Sequence, residues 1–411
     1  MALTCKKRNA EISALTTLFE YNSIISSSPS STEISTATSS PLSETTTNKV
    51  FLKVKNDDKM LSKSIMDVHE NITQTERTLM KKLRLRDLLY YSIVSTFPVC
   101  GLYVVGSSLN GFGNETSDMD LCFVITNGEL DQRTDAVNVL NAIYNILSTL
   151  PAIKEQTLIL AKVPILRIKF RGPFSDMIVD LNCNNSVAVR NTHLLCYYAF
   201  FDWRVRPLVT IVKEWAKQNN INDSTRSTFT SYSLVLMVLH YLQVVDEPVL
   251  PSLQQHFPKR FNPRVDIRTL NLSQPLEDIS PESNFKGSNT SSLGTLLIGF
   301  FDYYANQYNY ETNAISIRLG REVKRGDVIR HITHWSPICI EEPFTRSNTA
   351  HSVYDEMIFK SIKQKFKDAH KILSTTMDLN NLITIQPFTR EQPINHQDEI
   401  EFIPYLSDSW Q

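Results

Sequence analysis

Asp118 and Asp120 stand two residues apart, just ahead of the apolar run Leu121 to Ile125. Alternate side chains of a strand share a face, so these two carboxylates would point the same way while Met119 points into a core. Like charges held together repel unless a cation lies between them, and hard oxygen donors of this kind suit magnesium or manganese. Upstream, the apolar run Leu102 to Val105 stops abruptly at Gly106-Ser107-Ser108, and Gly111 and Gly113 follow. A turn of such small residues lets backbone N–H groups and a hydroxyl approach an anion closely. A third carboxylate, Asp180, is embedded in Ile178-Val179-Asp180-Leu181. Burying it without a partner would be costly, so it reads as a hydrogen-bonded structural aspartate or as a third metal ligand on the same sheet.

These residues need strands to present them. The pattern predicts one strand before Gly106, a second beginning at the paired aspartates, and two more over Val163 to Phe170 and Met177 to Leu181. Apolar spacing predicts helices over Ile65 to Thr96 and over Asp131 to Leu150, the latter with Val137, Leu140, Ile143 and Leu147 on one stripe. The first of these is basic, carrying Arg77, Lys81, Lys82, Arg84 and Arg86. That reads as a solvated face, with an RNA-facing strip as the sharper alternative.

Further along, Asp202 to Asn219 reads as helical, with Pro207 near its start and Lys213 and Lys217 four apart on one face. Such a pair usually belongs to a solvated face; it could also grip a triphosphate. Phe229-Thr230-Ser231-Tyr232 opens an intensely apolar helix, and Tyr232 is either core packing or a ring on which a base stacks. Residues 246 to 292 read as an irregular connection, followed by helices over Leu293 to Asn309 and Tyr354 to Leu373.

The 411 residues carry a net charge of -1, so no global attraction to nucleic acid is expected and RNA binding must be local or supplied by a partner. The six cysteines show no CxxC or Cys/His ligand spacing and read as reduced thiols. MALTCKKRNAE places charges where a signal peptide needs apolar residues, and Leu234 to Val245 is too short to span a bilayer. A soluble intracellular protein with no membrane association is expected.

Taken together, VVGSSLNGFGNETSDMDLCF, IVDLNCNNSVAVRNTHLL, PLVTIVKEWAKQNNIND, TFTSYSLVLMVLHYLQ, SLGTLLIGFFDYY and ICIEEPF resemble the cytoplasmic poly(A) polymerases of the germline-development type. These are terminal nucleotidyltransferases of the DNA-polymerase-beta-like superfamily, and the likeness runs from about residue 70 to about 375. The resemblance implies an α+β, bilobed enzyme. A small mixed-sheet catalytic domain over 61–190 would face a mainly helical PAP-associated domain over 191–375 across a cleft, with the first helix free to pack on the other lobe. A disordered Ser/Thr-rich tail over 1–60 and a weakly ordered one over 376–411 are expected at the ends.

By the same resemblance, Asp118, Asp120 and Asp180 match the catalytic metal ligands, and two Mg2+ or Mn2+ ions would assist transfer from ATP. Gly106 and Ser107 match the triphosphate loop, and Lys213 and Lys217 the basic pair that grips it. Asn191 matches the reader of the ribose 2′-OH, Ser231 a nucleotide contact, Tyr232 the stacking ring and Glu342 a position near the base edge. The implied activity is template-independent adenylation of an RNA 3′ end, recruited to transcripts by an RNA-binding adaptor. A monomeric catalytic subunit in the cytoplasm, with some nuclear presence allowed, goes with it. In poly(U) members a histidine shortly after Pro-Phe favours uracil; here Thr345 to Ala350 holds none, and His351 stands where adenylating relatives usually carry an arginine. Terminal uridylylation and a catalytically silent scaffold for RNA-binding proteins are the competing readings.

Overall fold

The computed structural model describes residues 46–384, apart from residues 127, 281, 282, 284 and 329–335, with side chains from residue 56 onward. Two helices open it, α1 (Thr46–Ile72) and α2 (Glu76–Ile93), where the sequence pattern suggested one. Thr75 separates them: its hydroxyl accepts from the Thr78 N–H and caps α2, while Glu115 accepts from the Thr75 N–H at 2.6 Å.

Five strands form a mixed sheet: β1 (Gly101–Val105), β2 (Met119–Val124), β3 (Ile153–Ile159), β4 (Ile165–Phe170) and β5 (Ile178–Cys183), in the order β1-β2-β5-β4-β3. Only β2 and β5 run parallel; the other pairs are antiparallel. Strand β3 escaped the sequence reading because Lys154, Glu155, Gln156 and Thr157 leave it almost no apolar alternation, as suits a sheet edge. A third helix, α3 (Asp135–Leu147), lies on the sheet with Ala136, Leu140, Ile143 and Leu147 buried, Ala136 taking the place expected of Val137. With α2 it covers a core of Met119, Leu121, Phe123, Val179 and Leu181.

The second lobe is helical: α4 (Ser186–Phe201), α5 (Val205–Gln218), α6 (Ser231–Val244), α7 (Leu293–Asp302) and α8 (Glu356–Thr376). A two-stranded ribbon, β6 (Asn313–Ala314) with β7 (Val323–Lys324), accompanies them. Helix α6 is buried along nearly its whole length, which is why its sequence is apolar on every side. Among the described residues, the stretch between α6 and α7 holds no regular element longer than the one-turn helix Leu253–His256 and the 3-10 turn Ile267–Thr269.

The expected domain limits need three corrections. Residues 46–60, placed in a tail, belong to α1, while residues 1–45 lie outside the described residues. Leu61, Ile65 and Val68 of α1 are buried in the helical lobe, and Asp58 accepts from Ser292 Oγ at 2.6 Å, so α1 packs on that other lobe, as the sequence reading allowed. At the other end Leu379, Leu382 and Ile383 are buried in the same core, and residues 385–411 lie outside the described residues. The boundary at 190/191 falls inside α4, whose Val189 packs with Val105 and Val124 of the sheet while Leu194 and Tyr198 enter the helical core. No described helix is long and apolar enough to cross a membrane.

Candidate active site

The site begins at the end of β1. Gly106 has φ +70°, and a Cβ there would lie 2.4 Å from Asp120 Oδ2. Glycine is therefore required twice over, by the backbone and by the carboxylate. Val105 pairs with Asp120 across the β1–β2 ladder, which brings the turn against the acids. The Gly106 N–H donates to Thr192 Oγ1 on α4 at 2.8 Å, and that hydroxyl donates onward to the Ala188 carbonyl. Gly113 closes the loop: a Cβ there would lie 2.6 Å from the Ser107 carbonyl oxygen.

Asp120 and Asp180 are register partners on the parallel strands β2 and β5, and Asp118 sits just before β2. Period-two alternation buries Met119, Leu121, Val179 and Leu181 on the opposite face, so all three acids look out on the cleft side. Burial, then repulsion from Asp180 and Asp118, pushes the Asp120 carboxyl up to about 7. Burial and Asp180 raise Asp118 as well.

Arg167 on β4 stands opposite Asp180 and grips it with both arms, Nε to Oδ1 at 2.8 Å and Nη2 to Oδ2 at 2.6 Å. Among the described residues no three His, Cys, Asp or Glu side chains enclose a metal position. The donor chemistry nonetheless fits a hard divalent cation. Three carboxylates share one rim, and beyond the effect of burial the like charges of Asp180 and Asp118 raise Asp120, a repulsion that a cation would relieve.

The cleft between the lobes measures about 520 Å³, within the ordinary range for a nucleotide-sized ligand. Gly106, Ser107, Asp118, Asp120 and Asp180 line one wall, and Lys213, Lys217, Ser231 and Tyr232 the other. Lys213 Nζ donates to the Phe112 carbonyl of the glycine-rich loop at 2.7 Å, so it touches that loop directly, and burial lowers it to about 8. Lys217 is exposed. The Tyr232 hydroxyl donates to Glu342 Oε1 at 3.4 Å, and Glu342 also accepts from the backbone N–H of Phe344 at 3.0 Å. Asn191 does not line the cleft. It lies one helical turn before Leu195, which does, and its buried Oδ1 has no hydrogen-bond partner among the described residues. His351 is exposed, with Nδ1 3.1 Å from the Asn348 carbonyl.

The basic helix α2 does not present a continuous strip. Lys82 is 2 % exposed, Lys81 is paired with Asp176, and Arg86 with Asp87. Three side chains important to the geometry escaped the sequence reading: Arg167, Thr192 and the inward-facing Lys82. For Arg167 a faint signal existed, a cation alternating with Leu166 and Ile168 in a half-buried strand. Its partner is a matter of register.

A family model described as "Poly(A) RNA polymerase, mitochondrial-like, central palm domain" matches residues 61–200. A second, "Cid1 family poly A polymerase", matches residues 292–348. Poly(A) RNA polymerase gld-2 of Caenorhabditis elegans is 51 % identical over 80 % of this chain. Poly(A) RNA polymerase GLD2 of Danio rerio is 43 % identical over 83 % of this chain and 68 % of its own length. The chain belongs to the GLD2 family of poly(A) RNA polymerases. It spans only 34 % of the nematode relative's length. A solved GLD-2/RNP-8 complex contains a chain 56 % identical that superposes with a TM-score of 0.74, covering 80 % of this chain and 99 % of that one. Membership in this family implies a nucleotide substrate and a divalent metal ion, and the bilobed α+β fold is that of its solved relatives.

Proposed function

We propose that this chain is an RNA 3′-adenylyltransferase that extends mRNA poly(A) tails from ATP, with Mg2+ or Mn2+ held by Asp118, Asp120 and Asp180. The observation that carries the reading is the in-register pairing of Asp120 with Asp180, with Asp118 alongside, facing the Gly106 turn across a nucleotide-sized cleft. Bound there, divalent ions would act as Lewis acids, stabilising charge on the reacting phosphoryl oxygens and lowering the pKa of the RNA 3′-hydroxyl. The 3′-oxygen attacks the α-phosphorus of ATP. A new oxygen–phosphorus bond forms as the α–β bridging bond breaks and pyrophosphate leaves. The hydroxyl proton passes to a carboxylate of the triad and on to water. Asp180, its carboxylate oriented by Arg167, accepts the hydrogen bond of the incoming hydroxyl.

The triphosphate lies along Gly106 and Ser107, with Lys213 and Lys217 supplying positive charge from the other lobe. The Tyr232 ring stacks on the base, and Ser231 completes the pocket edge. Glu342 fixes the tyrosine through its hydroxyl and sits beside the base edge. Asn191, matched by the resemblance to the reader of the ribose 2′-OH, stands on α4 one turn behind the cleft lining with its Oδ1 buried, and would reach a ribose only after its side chain turns toward the cleft. The absence of a histidine between Thr345 and Ala350, and the exposed place of His351, support adenine over uracil. A solved relative sits in a complex with RNP-8, and the net charge of -1 gives this chain little attraction of its own for RNA. Both support recruitment by a protein adaptor. A cytoplasmic location accords with the five described cysteines, all free thiols.

The test is primer extension on a short RNA with Mg2+ and each nucleotide separately, free and artificially tethered to the enzyme, beside Asp120→Ala. Extension with ATP alone, lost in the variant and raised by tethering, is the expected result. Preference for UTP would move the assignment to uridylylation. Silence with every nucleotide, tethered or not, would leave the scaffold reading.

A further inference from the structure

Lys82 is almost fully buried beside the site, and its three hydrogens are all used. Nζ donates to Gln74 Oε1 at 2.8 Å, to Ser108 Oγ at 3.0 Å and to the Ser117 carbonyl at 2.8 Å. Each acceptor belongs to a different segment: the junction between α1 and α2, the Gly106–Ser108 turn, and the residue before Asp118. Secondary bonds tighten the set. Gln74 Nε2 donates to the Ser108 carbonyl at 2.9 Å, and Ser108 Oγ lies 3.3 Å from the Asp118 carbonyl as donor.

All three acceptors are neutral, which is a poor bargain for stability alone. A buried ammonium loses its hydration, and a contact carboxylate is what normally offsets that loss. Its nearest anions act only through space: Asp120, Glu115 and Asp118, the first and third being the acids of the site. A methionine of similar length would fill the volume without the desolvation cost. The ammonium therefore makes sense as a brace that places two pieces of catalytic backbone relative to one another, and as a fixed positive neighbour for the paired carboxylates.

We propose that Lys82 is a positioning residue for nucleotidyl transfer: its ammonium locks the phosphate-binding turn to the start of the Asp118–Asp120 strand. The activity part rests on the adenylation reading above, whereas the bracing part does not. The experiment compares wild type, Lys82→Met, Ser108→Ala and the double variant by hydrogen exchange of the metal-free protein and by steady-state ATP addition to RNA.

In Lys82→Met, amides of residues 106–118 should exchange at least about tenfold faster while those of β4 and β5 keep their protection. Ser108→Ala, a milder change, should show the same local effect more weakly. Turnover in Lys82→Met should fall about a hundredfold with KM for ATP moving less than about threefold, because the brace aligns groups more than it binds substrate. Adding Ser108→Ala to Lys82→Met should cost little more, as expected for partners in one network. Unchanged exchange over 106–118 overturns the proposal, as does exchange that rises equally throughout the sheet lobe. A wild type that adds no nucleotide would instead overturn the adenylation reading, and the exchange comparison would still judge the brace.

Discussion

Asp120 carries the tension of the site. Its carboxylate lies against Gly106, beside Asp180 and Asp118, and burial followed by those like charges raises it from 3.8 to about 7. Between those values the folded protein holds more proton at this residue than the unfolded chain does. Stability of the metal-free protein therefore falls as pH rises through that window, since the slope follows the excess of unfolded over folded proton binding. We expect the thermal midpoint of metal-free protein to decline from about pH 4 to 7, in step with the raised value of a carboxylate gathered among its like. Asp120→Asn should remove much of that decline and retain the fold; an undiminished decline in the variant would place its origin elsewhere. The side chain was evident from its DxD spacing. A shared sheet with Asp180 was expected too, but the register that pairs the two acids directly was not, because that strand lies some sixty residues on.

At the scale of elements, the glycine-rich loop joins the two lobes. Phe112 is 6 % exposed and belongs to the helical lobe's core, though the loop hangs from the sheet. Arg206 Nε donates to the Gly111 carbonyl at 3.2 Å, and Lys213 to that of Phe112. Any loosening of this loop therefore moves the Gly106–Ser107 wall of the cleft and the lysine wall together. Phe112→Ala should destabilise the protein by about 3–5 kcal/mol, the usual cost of emptying a buried phenylalanine site. Weaker ATP binding should accompany it. Urea titration and calorimetric titration with ATP would check both, and unaltered ATP affinity would count against coupling through the loop.

For the whole molecule, the order of segments along the chain is not their order in space. Helix α1 precedes the sheet but completes the helical lobe, so the chain leaves that lobe, builds the sheet and returns. The lysines of α8 do not all project freely: Lys363 lies 5.5 Å from the Phe359 ring centre and 5.9 Å from that of Tyr310. With a net charge of -1, free RNA binding should be weak. Few phosphate contacts mean a shallow salt dependence, a slope of roughly -1 to -3 in log K against log salt. Filter binding at several salt concentrations would measure it. A steep slope would reveal a phosphate-binding track that net charge conceals, and would weaken the case for an adaptor.

The sequence by itself determined what is local. The small turn after an apolar run, the spaced aspartates, the apolar stripe of α3 and the all-round apolar α6 follow from periods of two and 3.6 residues and from the conformational freedom of glycine. Tertiary structure alone decided who meets whom. Lys82 reads as one of five cations on a solvated helix, yet folding turns it inward onto Ser108, 26 residues away. Arg167 meets Asp180 only because β4 and β5 pair in one register, and a slip of one residue would turn its guanidinium to the other face. The polar edge strand β3 and the insertion of Phe112 were likewise beyond reach. The physical reason is common to all: burial is a property of the assembled surfaces, and no window of neighbouring residues contains the partner that supplies it.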